Sequence, residues 1–220
     1  VIASERLQLI GPAGALEAHI ETPPVAAQPQ EVRAFGVVCH PHPLHGGALD
    51  NKVVWTLARA FQQCGAPTIR FNFRGVGTSA GSYDEGRGET QDTLAVIGYG
   101  RQRWPQAALW LGGFSFGGVV AVQAAVRAQA ACLVTVAPGI TRIAVDPVAA
   151  PTCPWLIVQG GADDVVPADV VIGWARTLSP APQLKVLPGA GHFFHGRINE
   201  LRDVVLEFMQ HLPQGPAARP

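Results

Sequence analysis

The sequence predicts an α/β fold, a mostly parallel sheet of about eight strands with helices on both faces. Three observations predict it. From residue 34 onward, strand-length apolar runs alternate with helix-length segments across short connections. Several runs, such as Ala-Phe-Gly-Val-Val-Cys at residues 34–39, are apolar without alternation, as strands buried on both sides should be. The chain has 220 residues, 48% hydrophobic and 15% charged, which suits one large core and needs no disulfide or metal staple. No repeat or linker divides residues 1–220, so one domain is expected.

Taken in order, residues 5–10 and 16–21 alternate polar and apolar around Gly-Pro-Ala-Gly and read as a hairpin. Residues 22–31, rich in Pro, Ala and Gln, read as a loop. After the strand at 34–39, His40-Pro41-His42-Pro43-Leu44-His45-Gly46-Gly47 is too rich in proline and glycine for regular structure. Asp50 or Asn51 can cap the helix that carries Val53, Val54, Leu57, Ala58 and Phe61 on one side. Residues 66–73 read as a strand and 74–81 as a glycine-rich loop. Residues 89–103 read as a helix weakened by Gly98 and Gly100. Strands follow at 107–112, 131–137, 154–159 and 183–187. Helices follow at 116–129, 168–178 and 198–212, and residues 213–220 read as a frayed tail.

Lys plus Arg and Asp plus Glu are 16 each, which lacks the basic excess of a nucleic-acid surface. No run approaches 18 apolar residues, so membrane insertion is not expected. The four cysteines form no Cys-x-x-Cys pair, and three lie in or beside apolar runs as buried thiols would. The first residues show no charged-then-apolar signal pattern, so a soluble cytoplasmic protein is expected. The chain begins with Val, which leaves room for a removed leader.

Function in such sheets gathers beyond the carboxyl ends of the strands. Ser115 stands there within Gly113-Phe114-Ser115-Phe116-Gly117, between a strand-like and a helix-like run. Gly-x-Ser-x-Gly suits a sharp turn in which strand and helix pass closely and expose the serine. Asp163 and Asp164 follow the strand at 154–159, and His192 follows the strand at 183–187. A serine hydroxyl needs a histidine base, itself oriented by a carboxylate, and all three types emerge at strand ends. The alternating loop histidines 40, 42 and 45 could bind zinc, but the prolines around them scatter the side chains, so no metal or cofactor is expected. Arg74-Gly75-Val76-Gly77-Thr78-Ser79 lacks the Lys-Ser/Thr of a phosphate loop and reads as a pocket rim. Trp55, Trp104, Trp110, Trp155 and Trp174 are scattered and read mostly as core or edge packing.

The elbow, the Ser-Asp-His order, the His-Pro-His-Pro-Leu-His-Gly-Gly loop and Asn72-Phe73-Arg74-Gly75-Val76-Gly77 together resemble the α/β-hydrolases over about residues 5–212. Within that family they resemble a small bacterial branch of lid-less serine hydrolases. The resemblance implies Ser115 as nucleophile, His192 as base and Asp163 as acid. Asp163 is favoured over Asp164 because the family's acid stands four residues before the proline, here Pro167. Phe116 would give one oxyanion-hole N–H, and the loop after residue 39 the other. Pro41 and Pro43 have no N–H, which leaves His42, Leu44 and His45. Leu44 is favoured, with His42 second, although this loop departs from the family's commoner His-Gly-x form. His195 reads as a surface neighbour of the base.

Residues 138–153 are too few for a cap of two or more helices at about ten residues each. An open site follows, suited to short acyl or exposed esters, with Val145, Val165, Phe193 and Phe194 as a small apolar patch. The expected function is hydrolysis of small-molecule carboxylic esters through an acyl-enzyme. Thioester, lactone or peptide hydrolysis would use the same machinery. A binding protein without turnover and a metal-dependent hydrolase are the rivals from other classes.

Overall fold

The structure is a computed structural model and describes residues 3–24, 32–141 and 150–212. Eight strands form one sheet in the order β1-β2-β4-β3-β5-β6-β7-β8. Their ranges are β1 Ala3–Gly11, β2 Gly14–Thr22, β3 Ala34–Cys39, β4 Thr68–Phe71, β5 Ala108–Phe114, β6 Cys132–Val136, β7 Trp155–Gly160 and β8 Gln183–Leu187. β2 runs antiparallel to both its neighbours, and every pairing from β4 to β8 is parallel. The expected hairpin is β1–β2, which pairs in register from Ala3 with Thr22 to Gly11 with Gly14.

Among the described residues five α-helices cover the sheet: α1 Lys52–Gln63, α2 Arg87–Arg103, α3 Phe116–Ala128, α4 Ala168–Thr177 and α5 Ile198–Gln210. Successive residues of a strand face opposite sides, so an all-apolar strand feeds two cores. In β3, Phe35, Val37 and Cys39 join the core under α2, α3 and α4, and Ala34 and Val38 join the core under α1 and α5. Each buried side chain of Leu or Phe size contributes about 1.5–3 kcal/mol, which is why these unbroken runs dominate the fold. Among the tryptophans, Trp104 and Trp155 are buried, while Trp55 is exposed beneath the Arg59 guanidinium. The four cysteines are free thiols, and burial pushes Cys39 up to about 12.

Several boundaries differ from the sequence reading for identifiable reasons. β4 stops at Phe71: Asn72 N–H still meets Glu17 O, its in-register partner on β2, at 2.8 Å, but Phe73 N–H leaves the ladder for His40 Nε2 at 3.0 Å. β5 runs two residues further than expected, with Gly113 paired to Cys39 and Phe114 to Val136. Asn51, not Asp50, caps α1. α2 survives its glycines because Gly100 is where the Phe35 ring lies; a Cβ there would sit 2.3 Å from Phe35 Cε2. The Glu89 carboxylate starts that helix by accepting the Asp84 and Gly86 N–H groups at 2.9 and 2.8 Å. The expected loop over residues 25–31 and the expected tail at 213–220 lie outside the described residues.

The N-terminal half of the inner face of α2 is polar, with Glu89, Thr90, Asp92 and Thr93 all hydrogen-bonded. Thr90 Oγ1 bonds Gln123 Oε1 at 2.9 Å, and Asp92 takes three hydrogen bonds from the Arg74 backbone and guanidinium at 2.8–3.1 Å. Asp92 is wholly buried and Arg74 nearly so, and Arg74 also donates to Gly88 O at 2.9 Å. The Arg74–Gly75–Val76–Gly77 loop is thus tied under α2. Removing one partner of such a pair leaves a buried charge unopposed, at a typical cost of about 3–5 kcal/mol. Urea denaturation of Asp92→Ala should show a loss of that order, while Asp203→Ala, which removes only the exposed Arg202 pair, should leave the urea midpoint in place.

Candidate active site

β5 turns into α3 through Ser115, whose φ of 53° and ψ of −117° are strained for a residue with a Cβ. Such backbone costs about 1–3 kcal/mol and persists only where its surroundings over-determine it. Here Ser115 N–H donates to Val136 O at 2.9 Å, and Ser115 O accepts from Gly118 and Gly139 N–H at 2.9 Å each. The flanking glycines are compelled by contact. A Cβ on Gly113 would lie 2.1 Å from Gly117 O, and one on Gly117 would lie 2.3 Å from His40 O. Strand and helix therefore cross backbone to backbone, with the serine side chain at the tip.

His192 and Asp163 come from the loops after β8 and β7. Those loops are stitched together: Gly161 N–H donates to Leu187 O at 2.8 Å and Ala162 N–H to Ala190 O at 2.9 Å. Ser115 Oγ lies 3.1 Å from His192 Nε2, and His192 Nδ1 lies 2.8 Å from Asp163 Oδ2. An ionised carboxylate only accepts, so Nδ1 carries the proton and Nε2 offers its lone pair to the serine hydroxyl. The His192 ring packs between Phe114 and Phe193, with centroids at 5.0 and 5.1 Å.

Asp163 is buried and Asp164 exposed, and only the former faces His192. Its Oδ1 accepts the Val165 and Val166 N–H groups at 2.9 and 2.7 Å. Burial works to raise the Asp163 carboxyl, but the hydrogen bonds from His192, Val166 and Val165 outweigh it and hold the group below the usual carboxylate range.

Gln159 is a member of this arrangement that the sequence reading passed over. Fully buried at the end of β7, it donates Nε2 to Asp163 Oδ2 at 3.1 Å and to Val166 O at 2.9 Å. It thereby clamps the carboxylate to its own loop. Within an apolar strand it reads as a terminal residue, and its spacing of four from Asp163 is the only trace in sequence.

Phe116 N–H is the first of α3 and has no carbonyl partner within the helix. The second candidate donor requires a correction. Residues Pro43–His45 form a single 3-10 turn capped by His42, and Leu44 N–H donates to His42 Nδ1 at 3.2 Å. Leu44 is 67% exposed and absent from the cavity wall, whereas His42 and His45 stand in it. Leu44 N–H is engaged, and of the two only His42 stands in the cavity wall. Its ring packs against Phe116 and Tyr83 at 5.0 Å each, and Tyr83 Oη lies 3.3 Å from Nε2.

The three loop histidines do not converge. His40 is buried, with Nδ1 donating to Pro41 O at 2.6 Å and Nε2 accepting from Phe73 N–H at 3.0 Å. Both its ring nitrogens are consumed in pinning the loop to the end of β4. Among the described residues no three His, Cys, Asp or Glu side chains gather as a metal site. No helix among them is long and apolar enough to cross a membrane.

Above Ser115 lies a cavity of about 330 Å³, walled by the 41–47 loop, Asn51, Phe116, Gly139, Val165, Val166, His192 and Phe193. Of the expected apolar patch, Val165 and Phe193 belong to this wall. Phe194 instead turns inward to the core under α1 and α5 and is fully buried, and Val145 lies outside the described residues. His195 is exposed, stacked on Phe193 at 5.8 Å. The 74–79 loop contributes no residue to the wall.

Comparison with known proteins agrees with the fold. A sequence model of the alpha/beta hydrolase fold matches residues 44–152. The chain is 40% identical to an α/β serine hydrolase without a lid from Xanthomonas campestris, with a TM-score of 0.89 and 97% of each chain covered. It is 42% identical to an α-β serine hydrolase homologue from Coxiella burnetii, with a TM-score of 0.87, covering 94% of this chain and 98% of that one. An uncharacterized protein of Rickettsia prowazekii is 32% identical over 80% of this chain and 78% of its own length.

Burial lowers His40 from its ordinary value near 6.5 to about 4. The folded state refuses a proton that the unfolded chain accepts, so this contribution is intact above pH 6.5 and drains away as pH falls toward 4. Its size is roughly 3 kcal/mol. Urea denaturation at pH 7 and pH 4 should show a steeper loss in wild type than in His40→Gln by about that amount; equal losses would mean that His40 is not held neutral.

Proposed function

The chain belongs to the α/β-hydrolase family, and from that premise we propose that it is a serine hydrolase of small, uncharged carboxylic esters. The observation that carries the reading is the continuous line Ser115 Oγ–His192 Nε2–His192 Nδ1–Asp163 Oδ2, with steps of 3.1 and 2.8 Å, opening onto the cavity.

In this reading His192 Nε2 takes the Ser115 proton as Oγ bonds to the ester carbonyl carbon. The carbonyl oxygen becomes an oxyanion held by the Phe116 N–H, with the α3 dipole behind it, and by the His42 N–H. Asp163 holds the imidazole in the required tautomer and opposes the positive charge that forms on it. The tetrahedral adduct then collapses. The bond to the alcohol oxygen breaks, and the His192 proton passes to that oxygen. Water, deprotonated by the same nitrogen, cleaves the acyl–Ser115 bond and returns the proton to serine. Each oxyanion donor is worth about 100- to 1000-fold in rate.

A cavity of about 330 Å³ is at the small end of ligand sites, which supports short acyl groups over long lipid chains. The short β6–β7 connection, residues 137–154, supports the same view, since it is too short for a cap of two or more helices at about ten residues each.

Hydrolysis of short nitrophenyl esters should be measurable in wild type and lower by at least about 10⁴-fold in Ser115→Ala. Wild type inert toward these esters and toward a fluorophosphonate would leave a binding role on this fold as the better reading.

A further inference from the structure

Asn51 occupies an unusual place between the fold and the cavity. As the cap of α1 it accepts the Val53 and Val54 N–H groups on Oδ1, at 2.9 and 3.4 Å. An amide nitrogen cannot accept, so those two bonds fix which end of the side chain is which. Nδ2 is left with no hydrogen bond to any described residue, and Asn51 stands in the wall of the Ser115 cavity. The helix therefore holds a two-proton donor in one orientation beside the reacting serine.

The chemistry says which part of the substrate meets it. The alcohol oxygen must receive its proton from His192 Nε2, so the alcohol lies along the His192, Val165 and Phe193 wall. The acyl part takes the remaining wall, to which Asn51 belongs together with His45, Gly46 and Gly47. Among the described residues no Arg, Lys, Asp or Glu side chain lines the cavity, so none of them would neutralise a charged substituent. Resting on the esterase reading above, we propose that Asn51 is a specificity-determining residue. It selects esters whose acyl chain is uncharged and carries a hydrogen-bond-accepting oxygen, such as hydroxyacyl or alkoxyacyl groups.

The test uses the full chain and two pairs of nitrophenyl esters, methoxyacetate with butanoate and 3-methoxypropanoate with pentanoate. Members of a pair differ by an ether oxygen in place of a methylene, at two positions along the chain. Asn51→Asp keeps the capping oxygen and places a negative charge where a helix N-terminus favours it, so the fold should stand. It removes the donor, and any effect of the new charge on the serine chemistry is shared within a pair, but a carboxylate also repels an ether oxygen and not a methylene. Asn51→Ser, which keeps a neutral capping oxygen and no amide, should therefore lower the ratios too, and ratios lowered by Asn51→Asp alone overturn the assignment. The ratio of kcat/KM for the ether ester over its partner should fall at least about fivefold from wild type to Asn51→Asp in one or both pairs. His45→Phe should leave the ratios within about twofold. Ratios unmoved by Asn51→Asp in both pairs, or moved instead by His45→Phe, overturn the assignment. Wild type inactive on all four esters overturns the esterase reading beneath it.

Discussion

The site rests on the crossing of β5 and α3 at Ser115. Two backbones meet there with no side chain between them, since a Cβ on Gly113 would fall 2.1 Å from Gly117 O, and α3 is pressed as closely onto the end of β3, where a Cβ on Gly117 would fall 2.3 Å from His40 O. That closeness forces Ser115 into a left-handed conformation, and three backbone hydrogen bonds, one each with β6, the turn after it and the first turn of α3, keep it there. The same crossing places Phe116 N–H at the open end of a helix beside the serine oxygen. A looser crossing would relax the strain and withdraw both groups from the cavity.

The rest of the arrangement is held by polar contacts at the carboxyl ends of the sheet. The acid and histidine loops share backbone bonds, Gln159 grips Asp163 from below, and His40 ties the 40–47 loop to the end of β4. Among the described residues no helix covers this site, so its order must exist beforehand. Four hydrogen bonds on one buried carboxylate achieve that at Asp163, and they offset its desolvation as well.

Much of this was legible in the chain. β3 and β8 appear in sequence from end to end, because a strand buried on both sides is an unbroken apolar run and an edge strand is bounded by prolines. Ser115, Asp163 and His192 stand out because each follows a strand end in a glycine-rich turn. The misreadings depend on contacts far apart in sequence or on a single turn's geometry. The end of β4 is decided by His40, 33 residues away. Leu44 loses its standing because the His42 ring folds back onto its N–H, which composition cannot show. Phe194 follows two residues after His192 yet turns into the core, at a φ of 52° that no residue pattern announces. Gln159 hides because a buried amide inside a strand looks like an ordinary terminus until its partners are known.

The central claim is that Ser115 is the one nucleophile of this cavity, activated by the His192–Asp163 pair. The most direct measurement is peptide mass mapping of protein treated with a fluorophosphonate, comparing wild type with His192→Ala. The account predicts a single adduct, on the peptide containing Ser115, that forms rapidly in wild type and at least about 100-fold more slowly without the imidazole. An adduct on any other residue, or labelling of Ser115 at the same rate in both proteins, would contradict it.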